Sequence, residues 1–519
     1  MARNLQDLLG ELSTAGELAR IKATVSPVLE LGAIADRVVK TDCPQGLAGA
    51  PWHDRTHGRF GGKALLFESV EGSDIPVAIN TFGSYHRMYR ALGVSNFDEM
   101  ADRVAKLIKP DVPSSLIEKL KKIPELAKIG SYPPRIGRRG ICQEVVHKAD
   151  QADATRLPML QCWPLDGQRG AEGKPADIAY GTGRYITLGG IYTRHRETGD
   201  RNVGMYRVQL HGPQRLAMHW HMHHDGARHY RSWAARNEKM PIAIALGGES
   251  CLPFAATCPL PPNVSELLFA GLLNDGAIEL VECATLPDLH VPANAEIVIE
   301  GYIDPAEPHV WEGPFGDHTG FYSTADLYPA VHITAITHRR QPVFPATIVG
   351  KPPMEDYFLG KATERIFLPL LRTLVPDILD YDLPIFGAFH NCAFINIRKE
   401  YPMQARRVMH AIWGAGQMSF TKTIVVVDEH VDVHDHNAVL FALLANFDPT
   451  RDMEVVRGPL DILDHASIAY GAGGKLGLDG TRKIQGEGPP GTVRHWPAEL
   501  SWPQELTGLL NRRWAEYGI

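Results

Sequence analysis

The chain has 519 residues, of which 44% are hydrophobic and 22% charged, so we expect two to four domains with sizeable cores. Its formal net charge is -7 and it has no long basic run, which argues against nucleic acid as a partner. Because it has no apolar run long enough to span a membrane, no signal-peptide pattern and no C-x-x-C cysteine pair, we expect a cytoplasmic protein with reduced thiols.

The first domain, residues 1–130, is predicted to be mixed α/β. Apolar residues at helical spacing indicate helices, and short apolar runs indicate strands. The predicted helices are Leu5–Leu12, Leu29–Val39, Phe97–Ile108 with Ser95 as its N-cap, and Leu116–Lys128; the predicted strands are Ala64–Phe67 and Pro76–Ile79. A proline- and glycine-rich linker over 130–140 ends the domain.

The middle domain, residues 131–340, is predicted to consist mostly of strands bounded by turn residues. Examples are Tyr185–Leu188, Ala295–Glu300 and Ala330–Thr337, with one inserted helix at Ser265–Leu273. This pattern favours a barrel or a sandwich, and closure of a barrel would leave a mouth for a ligand.

The third domain, residues 341–490, is predicted to be a second α/β layer. Its helices are expected at Lys361–Leu374, Pro402–Trp413 and Asn437–Asn446, and Thr423–Asp428 has the composition of a buried parallel strand. The glycine-rich segment 471–477 fits no nucleotide-binding pattern and is predicted to be a loop. Residues 491–519 end in a helix at Gln504–Tyr517, whose apolar side is expected to pack on a partner subunit.

A histidine-rich stretch, Thr193–Tyr230, is predicted to form antiparallel strands, with turns at 197–200 and 212–214. Each titratable side chain that is buried in a strand needs a partner. We therefore interpret the stretch as a site for an anion and a metal, the alternative being a solvated polar strand. The histidines after the second turn are His219, His221, His223, His224 and His229.

Two kinds of metal site are compatible with this stretch. On a strand, His219, His221 and His223 would share one face and could bind zinc. Asn202, His223 and Glu266 instead form a mixed oxygen and nitrogen set that suits Mn²⁺ or Mg²⁺ beside a phosphate. Spacing alone leaves zinc, the mixed site and no metal open.

Two carboxylates, Glu312 and Asp317, flank a glycine-rich loop in the segment E-G-P-F-G-D-H-T-G. Desolvation in a closed pocket raises the pKa of a carboxyl group, so one of them could hold a proton near neutral pH. An arginine nearby would keep the other ionised. The alternative is a surface turn with solvated acids. Lys422, just before a predicted strand, either reaches a phosphate or is solvated.

The chain resembles the UbiD-type carboxy-lyases, which use prenylated FMN. The likeness spans nearly the whole chain, and its motifs occur in the family's order. They are Asn202–Arg207, the region of His223, Ser265–Leu273, Val291–Gly301, Glu312–Gly320, Gly350–Pro353 and Gly474–Asp479.

This resemblance implies an N-terminal α/β domain (1–130), a split β-barrel of flavin-reductase type that binds prenyl-FMN (131–340), a C-terminal α/β domain (341–490) and a C-terminal oligomerisation helix (491–519). Family members assemble as dimers or hexamers. A flavin prenyltransferase would supply the cofactor.

The resemblance also assigns the site residues. Asn202, His223 and Glu266 would hold Mn²⁺ (or Mg²⁺) that bridges to the cofactor phosphate, with K⁺ close by, partly on main-chain carbonyls. Lys422 would meet the phosphate. The residues expected to bind the cofactor are Asn202, Met205, Tyr206, Arg207, His219, Trp220, His221, His223, Glu266 and Lys422.

The implied reaction is the reversible, non-oxidative decarboxylation of an aromatic or heteroaromatic acid, with prenylated FMN as electron sink. Arg207, Glu312 and Asp317 match the family's acid–arginine–acid set. Arg207 would orient Glu312 and the substrate carboxylate, Glu312 would tune the arginine and the flavin, and Asp317 would protonate the carbon after CO₂ leaves.

The sequence departs from the polyprenyl-hydroxybenzoate branch of the family. That branch has arginine in place of His219, and Arg-Gly in place of His224-Asp225. These changes argue against 4-hydroxy-3-polyprenylbenzoate decarboxylation in ubiquinone biosynthesis and indicate a compact, polar pocket for a mono- or bicyclic acid. A zinc hydrolase built on the histidines and a non-catalytic flavin-binding scaffold are the competing hypotheses.

Overall fold

The computed structural model describes residues 4–47, 49–108, 128–168, 181–222, 224–260, 264–487, 496–498 and 500–518. Its α-helices are α1 (Leu5–Thr14), α2 (Glu30–Val39), α3 (Tyr85–Leu92), α4 (Phe97–Ile108), α5 (Asp225–Ala234), α6 (Leu252–Ala255), α7 (Glu266–Leu273), α8 (Glu355–Leu374), α9 (Gln404–Trp413), α10 (His436–Asn446) and α11 (Gln504–Arg513). Short 3-10 helices cover Ile141–Gln143, Ala149–Gln151, Ala154–Arg156, Ile385–Gly387, Gly416–Phe420 and Trp514–Tyr517.

The strands form a mixed α/β architecture in which one sheet is curled into a half-barrel. They are β1 (Leu18–Val25), β2 (Ala64–Val70), β3 (Val77–Ile79), β4 (Arg135–Gly137), β5 (Val145–Lys148), β6 (Tyr185–Ile186), β7 (Gly189–Arg194), β8 (Arg201–Met205), β9 (Val208–Gly212), β10 (Arg215–Met218), β11 (Met240–Gly247), β12 (Glu279–Glu282), β13 (His290–Pro292), β14 (Ala295–Ile303), β15 (Val310–Glu312), β16 (Asp326–Tyr328), β17 (Ala330–His338), β18 (Phe344–Ala346), β19 (Ile378–Asp382), β20 (Cys392–Ile397), β21 (Thr423–Asp428), β22 (Met453–Pro459) and β23 (Ala472–Asp479). The predicted helix over 116–128 falls outside the described residues, apart from its last residue.

A four-stranded sheet in the order β1-β2-β3-β18 organises the N-terminal part. Helix α1 packs beside it because four leucines at helical spacing are buried on one face, as predicted. Strand β18 comes from beyond residue 340 and pairs in parallel with β3. The chain therefore returns to complete the N-terminal sheet after it has built the middle one.

Two local predictions in this part are wrong. Asn96 caps α4, since its Oδ1 accepts the backbone N–H of Glu99 at 3.2 Å, whereas Ser95 Oγ donates to the Glu99 carboxylate at 2.9 Å. The segment 130–140, predicted to be a linker, contains β4, which pairs in parallel with β12. Its prolines precede the strand and so leave the ladder intact.

The half-barrel is a nine-stranded sheet in the order β6-β9-β10-β17-β14-β11-β7-β8, with β5 paired to β17. The predicted turns at 197–200 and 212–214 are confirmed, because they join the antiparallel pairs β7–β8 and β9–β10. Helices α5 and α7 both contact β8. Smaller pairings, β13-β12-β4 and the hairpin β15-β16, lie beside the half-barrel.

The histidine-rich stretch does not continue as a strand. Strand β10 ends at Met218, and the chain then leads through irregular backbone into α5. Glycine at position 226 lets that helix approach closely, since a Cβ there would lie 2.6 Å from the Trp220 indole nitrogen. The prediction of three histidines alternating on one strand face is therefore wrong for the described residues, and His223 lies outside them.

The C-terminal part is built on a five-stranded sheet in the order β19-β20-β21-β23-β22. The prediction of a buried parallel strand at Thr423–Asp428 is confirmed, because β21 runs parallel to both β20 and β23. The glycine-rich segment 471–477, predicted to be a loop, is largely strand β23. Glycine at 477 permits this, since a Cβ there would lie 2.5 Å from the Met409 sulfur of helix α9.

Helix α8 connects the parts of the molecule, since it packs against both α4 and β19. Lys361 on α8 is buried between Glu364, at 3.0 Å, and Asp382 of β19. Tyr357 donates a hydrogen bond to the Asp54 carboxylate at 2.8 Å. These buried contacts fix the C-terminal sheet relative to the N-terminal one. Within the described residues, none of the helices is both long and apolar enough to cross a bilayer.

Candidate active site

Three charged side chains converge at the edge of the half-barrel. Arg207 lies between β8 and β9, Glu312 ends β15, and Asp317 lies in the loop between β15 and β16. Glycine at 316 lets this loop pass Trp163, since a Cβ there would lie 2.1 Å from the indole. The predicted acid–arginine–acid set is thus brought together by three separate segments.

The guanidinium of Arg207 contacts both carboxylates. Its Nε and Nη2 donate to Glu312 at 2.8 and 3.0 Å, and its Nη1 donates to Asp317 at 2.5 Å. Nη2 also donates to Ser323 Oγ at 2.9 Å, and the guanidinium lies 4.8 Å from the Phe315 ring centre. The two-pronged pair with Glu312 holds the guanidinium in one plane and leaves one edge directed at Asp317.

Burial makes these contacts strong. The side chains of Arg207, Glu312 and Asp317 are 8%, 0% and 11% exposed. Burial opposes ionisation of Glu312, but Arg207 and His219 outweigh it and lower the Glu312 pKa to about 2. Burial alone would lower the pKa of Arg207, but the carboxylates of Glu312 and Asp317 outweigh burial and raise it. Glu312 and Arg207 are therefore ionised throughout the physiological range.

The pKa of Asp317 is lowered, whereas desolvation in a closed pocket would raise it. Burial raises it, but hydrogen bonds from His318 and the charge of Arg207 lower it well below its usual range. The Asp317 Oδ1 atom accepts the His318 backbone N–H at 2.8 Å and lies 3.0 Å from its Nδ1. At neutral pH Asp317 is therefore a carboxylate, and the proton of this pair lies on His318.

His219 and His221 come together although they are not on a strand. His219 Nδ1 lies 2.7 Å from Glu312 Oε2, and its Nε2 lies 2.8 Å from His221 Nε2. Burial and the charge of Arg207 lower the pKa of His219. Because ionised Glu312 can only accept, neutral His219 donates from Nδ1 and accepts from His221 at Nε2. Both of its ring nitrogens are thereby used.

Asn202 and Glu266, two of the three predicted metal ligands, lie next to each other. Asn202 is on β8, and Glu266 begins α7 and accepts the N–H of Val203 at 3.1 Å. Burial raises the pKa of Glu266 to about 7. The buried side-chain amide nitrogen of Asn202 has no hydrogen-bond partner among the described residues. This pair has the chemistry of a site for a hard cation.

The remaining predicted cofactor contacts surround the same end of β8. Met205 ends the strand, and the Tyr206 ring lies 6.2 Å from Trp220 and 4.9 Å from His224. Burial raises the pKa of Tyr206, so it is a neutral phenol. Trp220 is 6% exposed. These rings form an aromatic wall next to His219 and His221.

Lys422 approaches from the C-terminal part. Its Nζ lies 2.8 Å from Asp464, and its backbone N–H donates to the carbonyl of His390 at 3.1 Å. The His390 ring in turn lies 3.0 Å from His318 through their Nε2 atoms. The C-terminal part therefore reaches the loop that carries Asp317, although in the structure Lys422 is paired with an acid.

Sequence reasoning missed four residues at this site, namely Ser323, Asp166, His390 and His318. Ser323 bonds both the Arg207 guanidinium and the Phe315 N–H, and Asp166 accepts the Gly316 N–H at 2.8 Å. His390 contacts His318 from a distant part of the chain. His318 stood inside the matched segment 312–320, so its position beside an acid was a usable signal, whereas the other three carry no local pattern.

Comparison with family models matches three consecutive regions of the chain. The UbiD models, described as 3-octaprenyl-4-hydroxybenzoate carboxy-lyase, match with their N-terminal domain over residues 9–107, their Rift-related domain over 135–352 and their C-terminal domain over 357–480. A protein of Aquifex aeolicus described as uncharacterised is 45% identical over 100% of this chain and 99% of its own length.

Solved structures of this class share the fold. The vanillic acid decarboxylase of Sedimentibacter hydroxybenzoicus in closed form is 25% identical, with a TM-score of 0.79 and coverage of 100% of this chain and 99% of that one. An evolved dimeric form of the UbiD-class enzyme HmfF from Pelotomaculum thermopropionicum, in complex with prFMN, is 26% identical, with a TM-score of 0.73 and coverage of 99% and 100%.

Proposed function

The chain belongs to the UbiD family of carboxy-lyases, and from that premise we propose that it reversibly decarboxylates an aromatic or heteroaromatic carboxylic acid with the help of prenylated FMN. The family consists of decarboxylases, and a structural neighbour binds prFMN. The observation that carries the proposal is the buried contact of Arg207 with Glu312 and Asp317. When bound, the prenylated flavin would supply the electron sink for the carbanion.

Each member of this set has a separate role. Arg207 is held in one plane by Glu312, so it would place a fixed positive charge beside an incoming carboxylate. Glu312 stays ionised and balances that charge. Asp317 stands at the other edge of the guanidinium and would deliver a proton to the carbon that loses CO₂, with His318 holding the proton in the resting protein.

The cofactor and its ions would bind on β8 and α7. Asn202 and Glu266, with His223, would hold Mn²⁺ or Mg²⁺ at the cofactor phosphate, and K⁺ would bind close by, partly on main-chain carbonyls. The Asn202 side-chain oxygen and the buried Glu266 carboxylate are oxygen ligands of the kind these cations prefer, which supports this proposal. Met205, Tyr206, Trp220 and His221 would flank the ring system, and Lys422 would leave Asp464 to meet the phosphate. A flavin prenyltransferase would supply the modified flavin.

The position of His219 supports a small substrate over a polyprenylated one. Its ring is packed between Glu312, His221 and Tyr328, whose ring centre lies 4.5 Å away. This polar, aromatic wall suits a mono- or bicyclic acid. The zinc-hydrolase hypothesis loses support, because both ring nitrogens of His219 are already engaged.

The direct test is reconstitution of the protein with prenylated FMN and a screen of mono- and bicyclic aromatic and heteroaromatic acids. We expect CO₂ release from at least one acid, and incorporation of one deuterium at the vacated carbon in D₂O. A holoenzyme that turns over no acid in the panel, and that catalyses no deuterium exchange on any product arene, would contradict the proposal.

We further propose that α11 packs on a second copy of the chain in a homodimer or homohexamer. None of its residues is buried, and Leu506, Leu509 and the following Trp514 are 36%, 40% and 53% exposed. Light scattering after size-exclusion chromatography should show an oligomer that Leu509→Asp weakens. A monomeric wild-type protein would refute the assembly without affecting the proposed reaction.

A further inference from the structure

Asp317 receives its hydrogen bond from a histidine that is itself contacted by the C-terminal part of the chain. His318 lies 3.0 Å from Asp317 Oδ1 through Nδ1 and 3.0 Å from His390 through Nε2. The order of groups is therefore carboxylate, imidazole, imidazole. Asp317 and His318 belong to the loop after β15, whereas His390 follows the short 3-10 helix Ile385–Gly387.

We propose that His318 is the proton reservoir for Asp317, and that His390 is a positioning residue that fixes which nitrogen of His318 faces the acid. This inference rests on the proposed decarboxylation. His390 accepts the Nε2–H of His318, so the Nδ1–H of His318 is directed at Asp317. The C-terminal part of the chain thus completes the proton-delivering group of the half-barrel.

The proton balance of one turnover is simple. After the substrate carbon loses CO₂, His318 Nδ1 gives its proton to Asp317 Oδ1, and Asp317 passes that proton to the carbon, so Asp317 ends as the carboxylate it was at the start. Water then returns a proton to His318, whose side chain is 21% exposed. One proton per CO₂ is taken from solvent, and no oxidant or reductant is needed.

The charges around the pair favour this assignment. Burial disfavours the charged form of His318, but Asp317, with smaller contributions from Asp356 on α8 and Asp461, raises its pKa to about 9. Burial lowers the pKa of His390 to about 4, with Asp461 and Asp464 opposing and His318 adding to the effect. His318 is therefore the protonated partner and His390 the neutral acceptor at neutral pH.

The backbone that presents His390 is held in an unfavourable conformation. Ala388 and Phe389 both have positive φ angles, 45° and 71°, in the left-handed region that residues with a Cβ rarely adopt. The Phe389 ring packs against His318 at 5.9 Å, and it occupies space left by Gly360 of α8, where a Cβ would lie 2.8 Å from that ring. Such strain persists only where the surrounding contacts over-determine the position, which fits a positioning role.

The test compares His390→Leu, which removes the acceptor, with His390→Gln, which restores one. Exchange of the imidazole C2 hydrogen for deuterium, followed by mass spectrometry of peptides, reports the pKa of His318 in the protein without cofactor. A charged donor that loses its acceptor should have its pKa lowered by about one to two units. We therefore expect that shift in His390→Leu, and a value near that of the wild type in His390→Gln.

The reconstituted enzyme gives a second readout. Activity should fall as pH rises through about 9, where His318 loses its proton, and His390→Leu should move this limb to lower pH and reduce kcat with little change in KM. The matched control is His410→Leu, which removes a histidine of α9 that is paired with Glu454. It should change neither the pKa of His318 nor the pH dependence of activity.

The outcomes separate the two proposals. Identical His318 pKa values in the wild type and His390→Leu, or a His390→Gln variant that behaves like His390→Leu, would overturn the inference even if the enzyme is active. A wild-type holoenzyme that releases no CO₂ from any acid would overturn the proposed function instead, because the exchange experiment is independent of turnover.

Discussion

The substitution Asp317→Asn isolates the proton-transfer role of the proposed site. It keeps the size of the side chain and lets the amide oxygen face Arg207 Nη1, which now contacts the carboxylate at 2.5 Å. It removes the group that can carry a proton from His318 to the substrate. Because Arg207 remains fixed by its two-pronged contact with Glu312, the guanidinium should keep its orientation.

The expected loss follows from the size of general acid catalysis. Removal of a positioned acid lowers the rate by about 10²–10⁴-fold, equivalent to about 2.7–5.4 kcal/mol in the barrier. Ser323→Ala is the matched control, because it removes a neutral partner of the same guanidinium at 2.9 Å. A hydrogen bond to a charged group contributes about 1.5–3 kcal/mol. Because Arg207 Nη2 keeps its bond to Glu312, the loss of Ser323 should lie at the lower end of that range and slow turnover by about tenfold.

The assay should follow both products. CO₂ release reports the whole reaction, and incorporation of deuterium from D₂O into the arene reports the protonation step. Asp317→Asn should depress both, whereas binding of the substrate should be retained because Arg207 is unchanged. If Asp317→Asn turned over at the rate of Ser323→Ala, the carbon would receive its proton from another group, and the assigned role of Asp317 would be wrong.

Three further outcomes are expected. The folded-state pKa of Glu312, about 2, lies below its value in the unfolded chain. The ionised carboxylate therefore contributes its full stabilisation above about pH 4.3, and that stabilisation is lost as pH falls towards 2. The difference in melting temperature between the wild type and Glu312→Gln should shrink over this range, and a constant difference would contradict the pairing of Glu312 with Arg207. Lys361→Met would leave Glu364 and Asp382 without their buried cation and should lower the free energy of unfolding, measured in denaturant, by about 3–5 kcal/mol. The control Lys22→Met changes an exposed lysine and should alter the free energy of unfolding little. Equal effects of the two substitutions would argue against the buried cluster. Glu266→Gln should abolish binding of Mn²⁺ to the protein as measured by electron paramagnetic resonance, with the exposed Glu71→Gln as control; undiminished binding would remove Glu266 from the proposed ligands.

Periodicity predicted the elements of the fold well where one physical pattern dominates. The helix at Phe97–Ile108 and the parallel strand at Thr423–Asp428 have the predicted bounds, because helical spacing and a continuous β-branched run are local signals. The glycine-rich segment at 471–477 is largely a strand, although its composition predicts a loop. There glycine serves close packing beneath α9, which depends on a neighbour that no local window contains.

The sequence predicted which residues form the site, but it did not predict the directions in which their pKa values shift. Glu312, Asp317 and Arg207 were expected together, and they contact one another. The expected rise in the pKa of an acid in a closed pocket fails at Asp317, because two hydrogen bonds from His318 and the charge of Arg207 exceed the desolvation penalty. The direction of such a shift depends on distances of about 3 Å, and sequence spacing does not supply them.

The dependence of Asp317 on His390 places part of the proton-delivery system in a different part of the chain from the predicted cofactor site. His390 can contact His318 only if the C-terminal sheet is held at a fixed distance from the half-barrel. The buried cation of Lys361 ties α8 to Asp382 of the C-terminal sheet, whose second oxygen also accepts from His436 at 3.0 Å. Phe367 of α8 in turn packs 5.5 Å from Phe269 of α7, a helix that contacts β8 of the half-barrel. A buried ion cluster of this kind is a poor source of net stability, because desolvation consumes most of the attraction. The ion cluster around Lys361 instead fixes the position of the C-terminal sheet. A substitution that weakens the cluster should therefore misplace His390 and reduce kcat even if the protein still folds.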